Sequence, residues 1–279
     1  MKNNPIDDLQ QLLAAYPDDA KIFHSLQTKS DGSKRPIVRQ NKSLNDWLKQ
    51  VKRGLRNSRK DWPVFIHGGV RRKSYVSFVR PHTSKKTVIT LDIRDCFGSI
   101  TRSQVKQALK MKLRLSEDLA AGLSAKLCVY DKIPQGFSTS NFLTNLYLND
   151  VLLGINRKLT PLQATMTIYV DDIAISGNTL DAAHIINLVC KDLSRAKLSV
   201  KKAKIKVMHS HSRQVIVGLV VNKGVALTKE TSKELFTRVA QKSISQESLN
   251  GWLANIKMID EKHRQKLAKF AGKKGYKTK

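Results

Sequence analysis

The sequence predicts an α+β fold in which a small antiparallel sheet packs against helices. Two segments, 87–93 and 166–175, alternate apolar and polar residues with the period of half-buried strands. Segments with apolar residues at helical spacing separate and flank them. The first strand segment carries one acidic residue and the second carries an acidic pair, so the predicted sheet also holds the most informative polar residues of the chain.

The second segment indicates a β-hairpin with Asp171 and Asp172 at its tip. Apolar residues alternate before the acidic pair and after it, but their parity changes across it. A two-residue loop restores a common face if Val170 pairs with Ile173, and a one-step shift that pairs Ile168 with Ile173 works equally well. Two adjacent carboxylates repel each other and favour a divalent cation, although an Asp-Asp pair alone is more often an ordinary turn.

A third carboxylate changes that balance. The strand segment Thr87–Ile93 places its apolar residues on one face and Asp92 on the other. An Asp92 on a strand that faces Asp171 and Asp172 at a hairpin tip is the minimum set for holding two Mg²⁺ ions during in-line displacement at phosphorus. We therefore expect a two-metal site at this end of the sheet.

The composition indicates a polyanionic partner. The 279 residues include 51 Lys and Arg against 22 Asp and Glu, a formal charge of +29 that is spread along the chain. No run approaches eighteen apolar residues and the N-terminus lacks an apolar signal core, so we expect neither a membrane span nor a secretion signal. Three widely spaced cysteines indicate neither a disulfide framework nor a zinc site, and a cytoplasmic location is expected.

The N-terminal part is predicted to contain two helices and a strand. Residues 1–28 have helical periodicity interrupted at Pro17, and residues 44–55 form an amphipathic helix. Between these helices, Lys34 and Arg35 stand where a basic turn leads into a predicted strand. The simpler interpretation of these two cations is a solvated hairpin tip.

The next segment, 64–82, combines glycines with three consecutive cations, Arg71, Arg72 and Lys73. Glycine next to cations suits close approach of the backbone to a phosphate chain. Further helices are expected at 102–127, 141–157 and 180–196, and further strands at 198–206 and 215–221. The turn Pro134-Gln135-Gly136 precedes the helix at 141–157, which Ser138 or Thr139 can cap as in any ordinary helix start.

Taken together, the motifs resemble those of a reverse transcriptase. Their order is Lys34-Arg35, Asp92 with Phe97, Pro134-Gln135-Gly136, Tyr169-Val170-Asp171-Asp172, Lys204 and Gly218. The resemblance covers residues 28–222, and it is greatest to the short retron and defence-associated enzymes of bacteria. The basic segment 66–74 is similar to one in those enzymes, and His82 stands ten residues before Asp92, where they place a histidine.

The resemblance implies a right-hand polymerase fold. Its parts would be fingers at 1–85 with an N-terminal helix, an antiparallel-sheet palm at 86–222 and a helical thumb at 223–279. The thumb segment has 14 Lys and Arg against 5 Asp and Glu, and an apolar stripe runs from Leu249 to Ile259. A generic basic surface helix and a helix laid in the minor groove of a template–primer duplex both fit this pattern.

The resemblance also implies RNA-directed DNA polymerisation and assigns the residues. Asp92, Asp171 and Asp172 would bind two Mg²⁺ ions, with Mn²⁺ tolerated and the Ile93 carbonyl as a further ligand. Lys204 would protonate pyrophosphate, and the Phe97 ring would exclude a ribose 2′-OH. The other residues implied to bind nucleotide are Lys34, Arg35, Gln135 and Phe137. The residues implied to bind nucleic acid are Arg71, Arg72, Lys73, His82, Trp252, Lys266 and Lys269.

The expected partners are a structured noncoding RNA template, an RNA–DNA duplex and dNTPs, together with an effector or toxin protein in phage defence, and no membrane. Two alternatives remain. A non-catalytic RNA-binding relic of the fold is opposed by the three carboxylates. An RNA polymerase, terminal transferase or protein-primed polymerase is the other, and Phe97 favours deoxynucleotides over ribonucleotides.

Overall fold

The structure, a computed structural model, describes residues 4–28, 32, 34–59 and 61–278. The chain begins with helix α1 (Pro5–Ala14), forms an antiparallel pair of strands, β1 (Ile22–Thr28) and β2 (Lys34–Gln40), and continues in α2 (Lys42–Ser58). The helical prediction over 1–28 is therefore wrong after α1, because residues 22–28 instead pair along their length with β2. The basic turn expected between the strands includes residues 29–31 and 33, which lie outside the described residues.

The amphipathic helix expected at 44–55 is confirmed as α2. Its N-cap, Asn41, accepts a hydrogen bond from the Leu44 backbone, and its apolar face is buried. Trp47 on that face donates its indole N–H to the Leu12 carbonyl at 2.6 Å, which joins α2 to α1. The short helix α3 (Tyr75–Val79) and a 3-10 turn at Arg80–His82 follow before the central sheet.

The central sheet has four antiparallel strands in the order β4-β5-β3-β6. They are β3 (Thr87–Asp92), β4 (Thr165–Tyr169), β5 (Asp172–Gly177) and β6 (Lys206–His209). Of the two hairpin registers that the sequence allowed, the structure has the one that pairs Ile168 with Ile173. Tyr169 then pairs with Asp172, so Val170 and Asp171 form the two-residue loop.

Four helices pack against the sheet and the N-terminal core: α4 (Arg102–Leu113), α5 (Glu117–Leu127), α6 (Ser140–Leu159) and α7 (Ala182–Arg195). The single helix predicted at 102–127 is wrong, because Arg114 adopts a left-handed conformation with φ 57° and Ser116 caps a new helix. Thr139 is the N-cap residue of α6 but makes no capping bond through its side chain. Instead, the Ser140 hydroxyl donates to the Pro134 carbonyl at 2.6 Å and holds the preceding turn.

Two predicted strands are replaced by shorter elements. The segment 198–206 makes only an isolated bridge, Val200 to Ile93, before a 3-10 turn at Lys202–Lys204 and β6. The segment 215–221 is a tight hairpin of β7 (Val215–Ile216) and β8 (Leu219–Val220), to which β9 (Ala226–Leu227) adds. Val217 and Gly218 both have positive φ, so this is a turn and not the interrupted strand that was expected.

The C-terminal region is a cluster of three helices, α8 (Lys229–Ala240), α9 (Gln246–Ile259) and α10 (Glu261–Lys273). They share a separate apolar core that includes Leu235, Leu249, Ile256 and Leu267. The apolar stripe predicted from Leu249 to Ile259 therefore faces this core as far as Ile256, whereas Ile259 packs against the separate cluster that contains Phe78. None of the described helices is both long enough and apolar enough to cross a membrane.

Candidate active site

Three carboxylates meet at one end of the central sheet. Asp92 is the last residue of β3 and lies directly opposite Asp172, the first residue of β5. Opposed residues of antiparallel strands project to the same face, so the two side chains are neighbours. Asp171 occupies the hairpin loop, and its carbonyl accepts a hydrogen bond of 2.9 Å from the Ile93 N–H. The expected grouping of the three aspartates around the end of one strand follows from this register.

The electrostatics of the site reflect like charges held close together. Burial, reinforced by the charges of Asp171 and Asp92, raises the pKa of Asp172 to about 6. Burial and the Asp92 charge also raise the pKa of Asp171. Burial is the larger cause of both raised pKa values, and the neighbouring negative charges add to it, as expected where anions share a partly buried site.

Two lysines supply part of that compensation. Lys204 Nζ lies 2.9 Å from Asp92 Oδ2, and Lys201 Nζ lies 2.7 Å from Asp92 Oδ1. The hydrogen bond to Asp92 raises the pKa of Lys204, which is therefore protonated at neutral pH. Lys201 was not identified from the sequence. Its backbone N–H also donates to the Asp92 carbonyl at 2.9 Å, so the segment after Val200 is tied to the end of β3.

The donor set fits a divalent cation of the magnesium type. Carboxylate oxygens are the ligands that Mg²⁺ prefers, and a cation would offset both the burial and the mutual repulsion that raise the pKa values of Asp171 and Asp172. Within the described residues, no group of three or more His, Cys, Asp or Glu side chains is arranged as a metal-binding cluster. Lys201 and Lys204 each contact one oxygen of Asp92, so a cation bound there would share that carboxylate with the lysines or displace one of them.

The hairpin tip rests on a glycine turn. Val170 has φ 63°, a conformation that β-branched residues rarely adopt, and it needs support from its surroundings. Gly68 provides that support, since a Cβ at this position would lie 2.5 Å from the Val170 nitrogen. The Asn145 amide donates to the Gly68 carbonyl at 2.6 Å, and the His67 N–H donates to the Ile168 carbonyl at 2.9 Å. These bonds hold the turn against β4 and the loop that carries Asp171.

His82 does not contact nucleic acid directly, contrary to the sequence-based expectation, because its side chain is fully buried. Its Nε2 lies 2.6 Å from the Thr167 hydroxyl and its Nδ1 lies 2.7 Å from the Ser176 hydroxyl. The Thr167 hydroxyl donates to the Phe78 carbonyl, so we assign the proton of the neutral imidazole to Nε2. Burial lowers the pKa of His82 to about 3, and the ring joins β4 to β5 behind the acid site.

The residues expected to bind nucleotide fall into two groups. Lys34 and Arg35 are exposed on β2, and the positive charge of Arg35 acts to lower the pKa of Asp171, which places it on the acid-site side. Phe97 is half-buried against the N-terminal core. Phe137 is 6% exposed within that core, so its ring does not line an open pocket, contrary to the expectation.

Gln135 connects the turn before α6 to strand β2. Its carbonyl accepts a hydrogen bond of 2.8 Å from the Val38 N–H, which joins the Pro134-Gln135-Gly136 turn to β2. Gly136 has φ 128°, and a Cβ there would lie 2.1 Å from the Val38 oxygen. The close approach explains why glycine occupies this position.

The residues expected to bind nucleic acid lie on separate surfaces. Arg71 and Arg72 are exposed beside the Gly68–Gly69 turn, whereas the Lys73 ammonium group is half-buried and donates to the Val64 carbonyl. Lys266 and Lys269 are exposed on α10, away from the central sheet. Trp252 is half-buried and packs against the core of the C-terminal helices.

Comparisons with known proteins identify the family of the chain. A family model described as "Reverse transcriptase (RNA-dependent DNA polymerase)" matches residues 27–250. The chain is 28% identical over 216 residues to the retron Se72 reverse transcriptase of Salmonella heidelberg, covering 75% of this chain and 57% of that protein. It is 26% identical over 232 residues to the retron Mx65 reverse transcriptase of Myxococcus xanthus, covering 73% and 53% respectively. The chain thus spans about half the length of the curated relatives it matches.

Solved structures support the likeness at the level of the fold. Telomerase from Candida albicans, in complex with a fragment of telomeric RNA, has a TM-score of 0.55 over 96% of this chain and 58% of its own, at 12% identity. Telomerase from Candida tropicalis, in a similar complex, has a TM-score of 0.57 over 95% and 56%, also at 12% identity.

Proposed function

Because this chain belongs to the reverse transcriptase (RNA-dependent DNA polymerase) family and has its α+β fold, we propose that it copies RNA into DNA. The reaction joins the 3′-hydroxyl oxygen of a primer to the α-phosphorus of a dNTP and releases pyrophosphate. The observation that carries the proposal is the convergence of Asp92, Asp171 and Asp172 at one sheet end, with Lys204 hydrogen-bonded to Asp92.

Enzymes of this family use divalent metal ions, and we propose two Mg²⁺ ions, with Mn²⁺ accepted in their place. Asp92 and Asp171 would hold them, Asp172 would contribute its charge nearby, and the Ile93 carbonyl would add an oxygen. When bound, the metals lower the pKa of the attacking hydroxyl and neutralise charge on the triphosphate. The paired register of Asp92 and Asp172 keeps these carboxylates together before any ligand arrives.

Lys204 is the proposed general acid for the leaving pyrophosphate. Its pKa is raised by the hydrogen bond to Asp92, so it carries a proton at neutral pH. Its side chain is also 56% exposed, which leaves it free to reorient from Asp92 towards a bound triphosphate. Donation of a proton to pyrophosphate then balances the proton lost by the primer hydroxyl.

Four further residues would position the incoming nucleotide. Lys34 and Arg35 would bind its β- and γ-phosphates, a role that suits exposed cations on the strand facing Asp171. Phe97 would contact the sugar and leave no room for a 2′-OH. Gln135 would contact the new base pair from the turn that joins β2 to α6.

We further propose that the template is a dedicated, structured noncoding RNA of the retron type. The similarity to two retron reverse transcriptases supports this, as does the formal charge of +29. In this proposal Trp252, Lys266 and Lys269 of the thumb bind the RNA–DNA duplex, and Arg71, Arg72 and Lys73 bind the template strand. A role in phage defence, in the cytoplasm and with an effector or toxin protein, would follow.

Two measurements test these proposals. Primer extension on an RNA template, with dNTPs and rNTPs supplied separately, should yield DNA products only; RNA products or untemplated tailing would favour an RNA polymerase or a terminal transferase, and no product with any metal would favour a binding relic. Sequencing the nucleic acids that copurify from the native host should give one abundant RNA and a complementary cDNA. A broad mixture of transcripts without a discrete cDNA would contradict the dedicated template.

A further inference from the structure

Helix α2 has a basic face that the proposed chemistry does not use. Lys49, Lys52, Arg53 and Arg56 stand at positions i, i+3, i+4 and i+7, so they form a continuous stripe beside the buried apolar face. Like charges at these spacings repel one another and destabilise a helix. Only Lys49 of the four has a carboxylate partner in the described structure, Asp46 at 2.9 Å on the same helix.

The stripe forms one wall of a cavity of about 700 Å³. The residues of the other walls come from three places: Arg59 and Trp62 after the helix, Gly69–Arg72 in the loop beside the catalytic hairpin, and Phe142 at the start of α6. Seven lining side chains are Lys or Arg, and no Asp or Glu lines the cavity among the described residues. A concave site with this charge selects an anion that carries several negative charges.

Neutral groups hold two of these cations in place by hydrogen bonds, and the charges of Asp150 and Asp61, which do not line the cavity, offset that of Arg59 only in part. Arg56 Nη2 donates to the Gly69 carbonyl at 3.0 Å. Arg59 Nη2 donates to the Asn149 side-chain oxygen at 3.0 Å, and its guanidinium group lies 4.6 Å from the centre of the Trp62 ring. Trp62 in turn packs edge-to-face on Phe142 at 5.4 Å. The cavity therefore combines fixed cations with an aromatic wall, of which the half-buried Trp62 ring is the accessible part because Phe142 is only 4% exposed.

The cavity is one backbone turn away from the acid site. Gly69 lines it, while the preceding residue, Gly68, packs against Val170 at the tip of the catalytic hairpin. A polyanion that occupies the cavity therefore runs beside the cleft in which the template is copied. A nucleic acid offers phosphates that the cations can bind and bases that can stack on the aromatic wall. A flexible single strand can enter a concave site that excludes a rigid duplex.

We propose that this cavity binds a single-stranded segment of the RNA template outside the catalytic cleft. The inference rests on the proposed function, because it takes the polyanion to be the RNA that the enzyme copies. The basic face of α2 and Arg59 contact the phosphates, and the aromatic wall receives a base. The site thus holds the template strand where it is not paired to the primer, and it adds affinity that a blunt duplex cannot gain.

The test compares two ligands in binding without nucleotides: a blunt RNA–DNA duplex, and the same duplex with a single-stranded extension of the RNA. Wild-type protein should bind the extended ligand more tightly. Lys52→Gln combined with Arg53→Gln should remove that advantage and lower the salt dependence for the extended ligand by about 0.7 in log–log slope per lost phosphate contact. The blunt ligand should bind as before.

A matched control removes two charges elsewhere. Lys191→Gln combined with Lys197→Gln changes one exposed residue in the last part of α7 and one just after it, neither of which lines the cavity, and both ligands should bind as to wild type. Equal loss of both ligands in the cavity variant, or an unchanged advantage of the extension, overturns the proposal. Loss of free nucleoside triphosphate binding without loss of the extension would make the cavity a nucleotide site and would also overturn it. A chain that binds the extension here but incorporates no nucleotide overturns only the proposed function.

Discussion

The protein gathers like charges in two places, the acid site and the basic cavity of α2, and they are built in different ways. In the acid site, strand register and backbone hydrogen bonds fix Asp92, Asp171 and Asp172, and Asp92 is only 7% exposed. In the cavity, the cations stand on a helix face and a loop, and Arg53, Arg71 and Arg72 are exposed. We expect the first arrangement to depend on exact position and the second to depend on summed charge.

The two sites also differ in how the repulsion between their like charges is offset in the free protein. Lys201 and Lys204 offset the negative charge of Asp92 from within the chain. In the cavity, Asp46 pairs with Lys49 and the charges of Asp150 and Asp61 act on Arg59, but no carboxylate is among the described lining residues. The repulsion that remains among the other cations is screened by salt or relieved by an external anion. Single changes in the acid site should therefore alter rates by large factors, and single changes in the cavity should alter affinity by small ones.

The largest contrast is expected at Lys204. Lys204→Gln removes the proposed general acid, which typically contributes a factor of about 10² to 10⁴. We expect kcat to fall by about 100-fold or more with little change in the KM for dNTP, and the alkaline limb of the pH–rate profile to disappear. Lys202→Gln, an exposed neighbour in the same 3-10 turn, should leave both unchanged. A similar loss of kcat in both variants would show that the total positive charge matters, as proposed for the cavity, and not the proton of Lys204.

The next effect tests positional precision without touching a charge. Gly68→Ala introduces a Cβ 2.5 Å from the Val170 nitrogen, so the hairpin tip that carries Asp171 must shift. A displacement of about 1 Å can cost about 100-fold in rate, and we expect a loss of that order in primer extension. Gly154→Ala is the control, because a Cβ there meets nothing within 4 Å. Full activity of Gly68→Ala would show that the tip tolerates movement.

A smaller effect is expected for sugar selection. Phe97→Val replaces the half-buried ring that is proposed to exclude a 2′-OH with a smaller side chain. The preference for dNTP over rNTP should then fall about tenfold or more. Phe97→Tyr keeps the ring and should keep the preference. The measurement is the ratio of kcat/KM for the two nucleotides on one RNA template. An unchanged ratio in Phe97→Val would make the ring a part of the core only.

The smallest effect concerns the buried frame behind the acid site. Because burial lowers the pKa of His82 to about 3 from an ordinary 6.5, the unfolded chain binds one more proton than the folded protein between these pH values. The free energy of unfolding therefore falls as pH decreases through this window, by about 2 kcal/mol at pH 5 from this residue, at about 1.4 kcal/mol per pKa unit. His82→Asn should lose that much less stability between pH 8 and pH 5 in urea unfolding. Equal losses in the two proteins would show that His82 is not held neutral.

The position of the acid site was predictable from the sequence because strands alternate apolar and polar residues with a period of two, which a short segment is enough to reveal. Alternation around Asp171 and Asp172 located the hairpin, yet it allowed two registers, since both place apolar residues on one face. The choice depends on Val170 adopting a positive φ, which a β-branched residue does not signal. Lys201 escaped prediction because its approach to Asp92 depends on the isolated bridge between Val200 and Ile93.

Other features depend on partners that are distant in sequence. The sequence indicated that His82 contacts nucleic acid, but its ring instead hydrogen-bonds to Thr167 and Ser176, which lie on strands more than eighty residues away in the sequence. The break at Arg114 carries no glycine or proline that would mark it. The basic face of α2 could be read from the sequence as a stripe, whereas the cavity needs walls from the loop at Gly69–Arg72 and from Phe142.

The most direct test of the central claim is primer extension on an RNA template with Asp92→Asn and Asp95→Asn side by side. Asp92 belongs to the paired register with Asp172, whereas Asp95 is an exposed acid three residues later with a positive φ that asparagine tolerates. We expect Asp92→Asn to lose activity by about 10³-fold or more while it still folds and binds template–primer, and Asp95→Asn to extend the primer at nearly the wild-type rate. Comparable DNA synthesis by Asp92→Asn and wild type would contradict the assignment of the acid site.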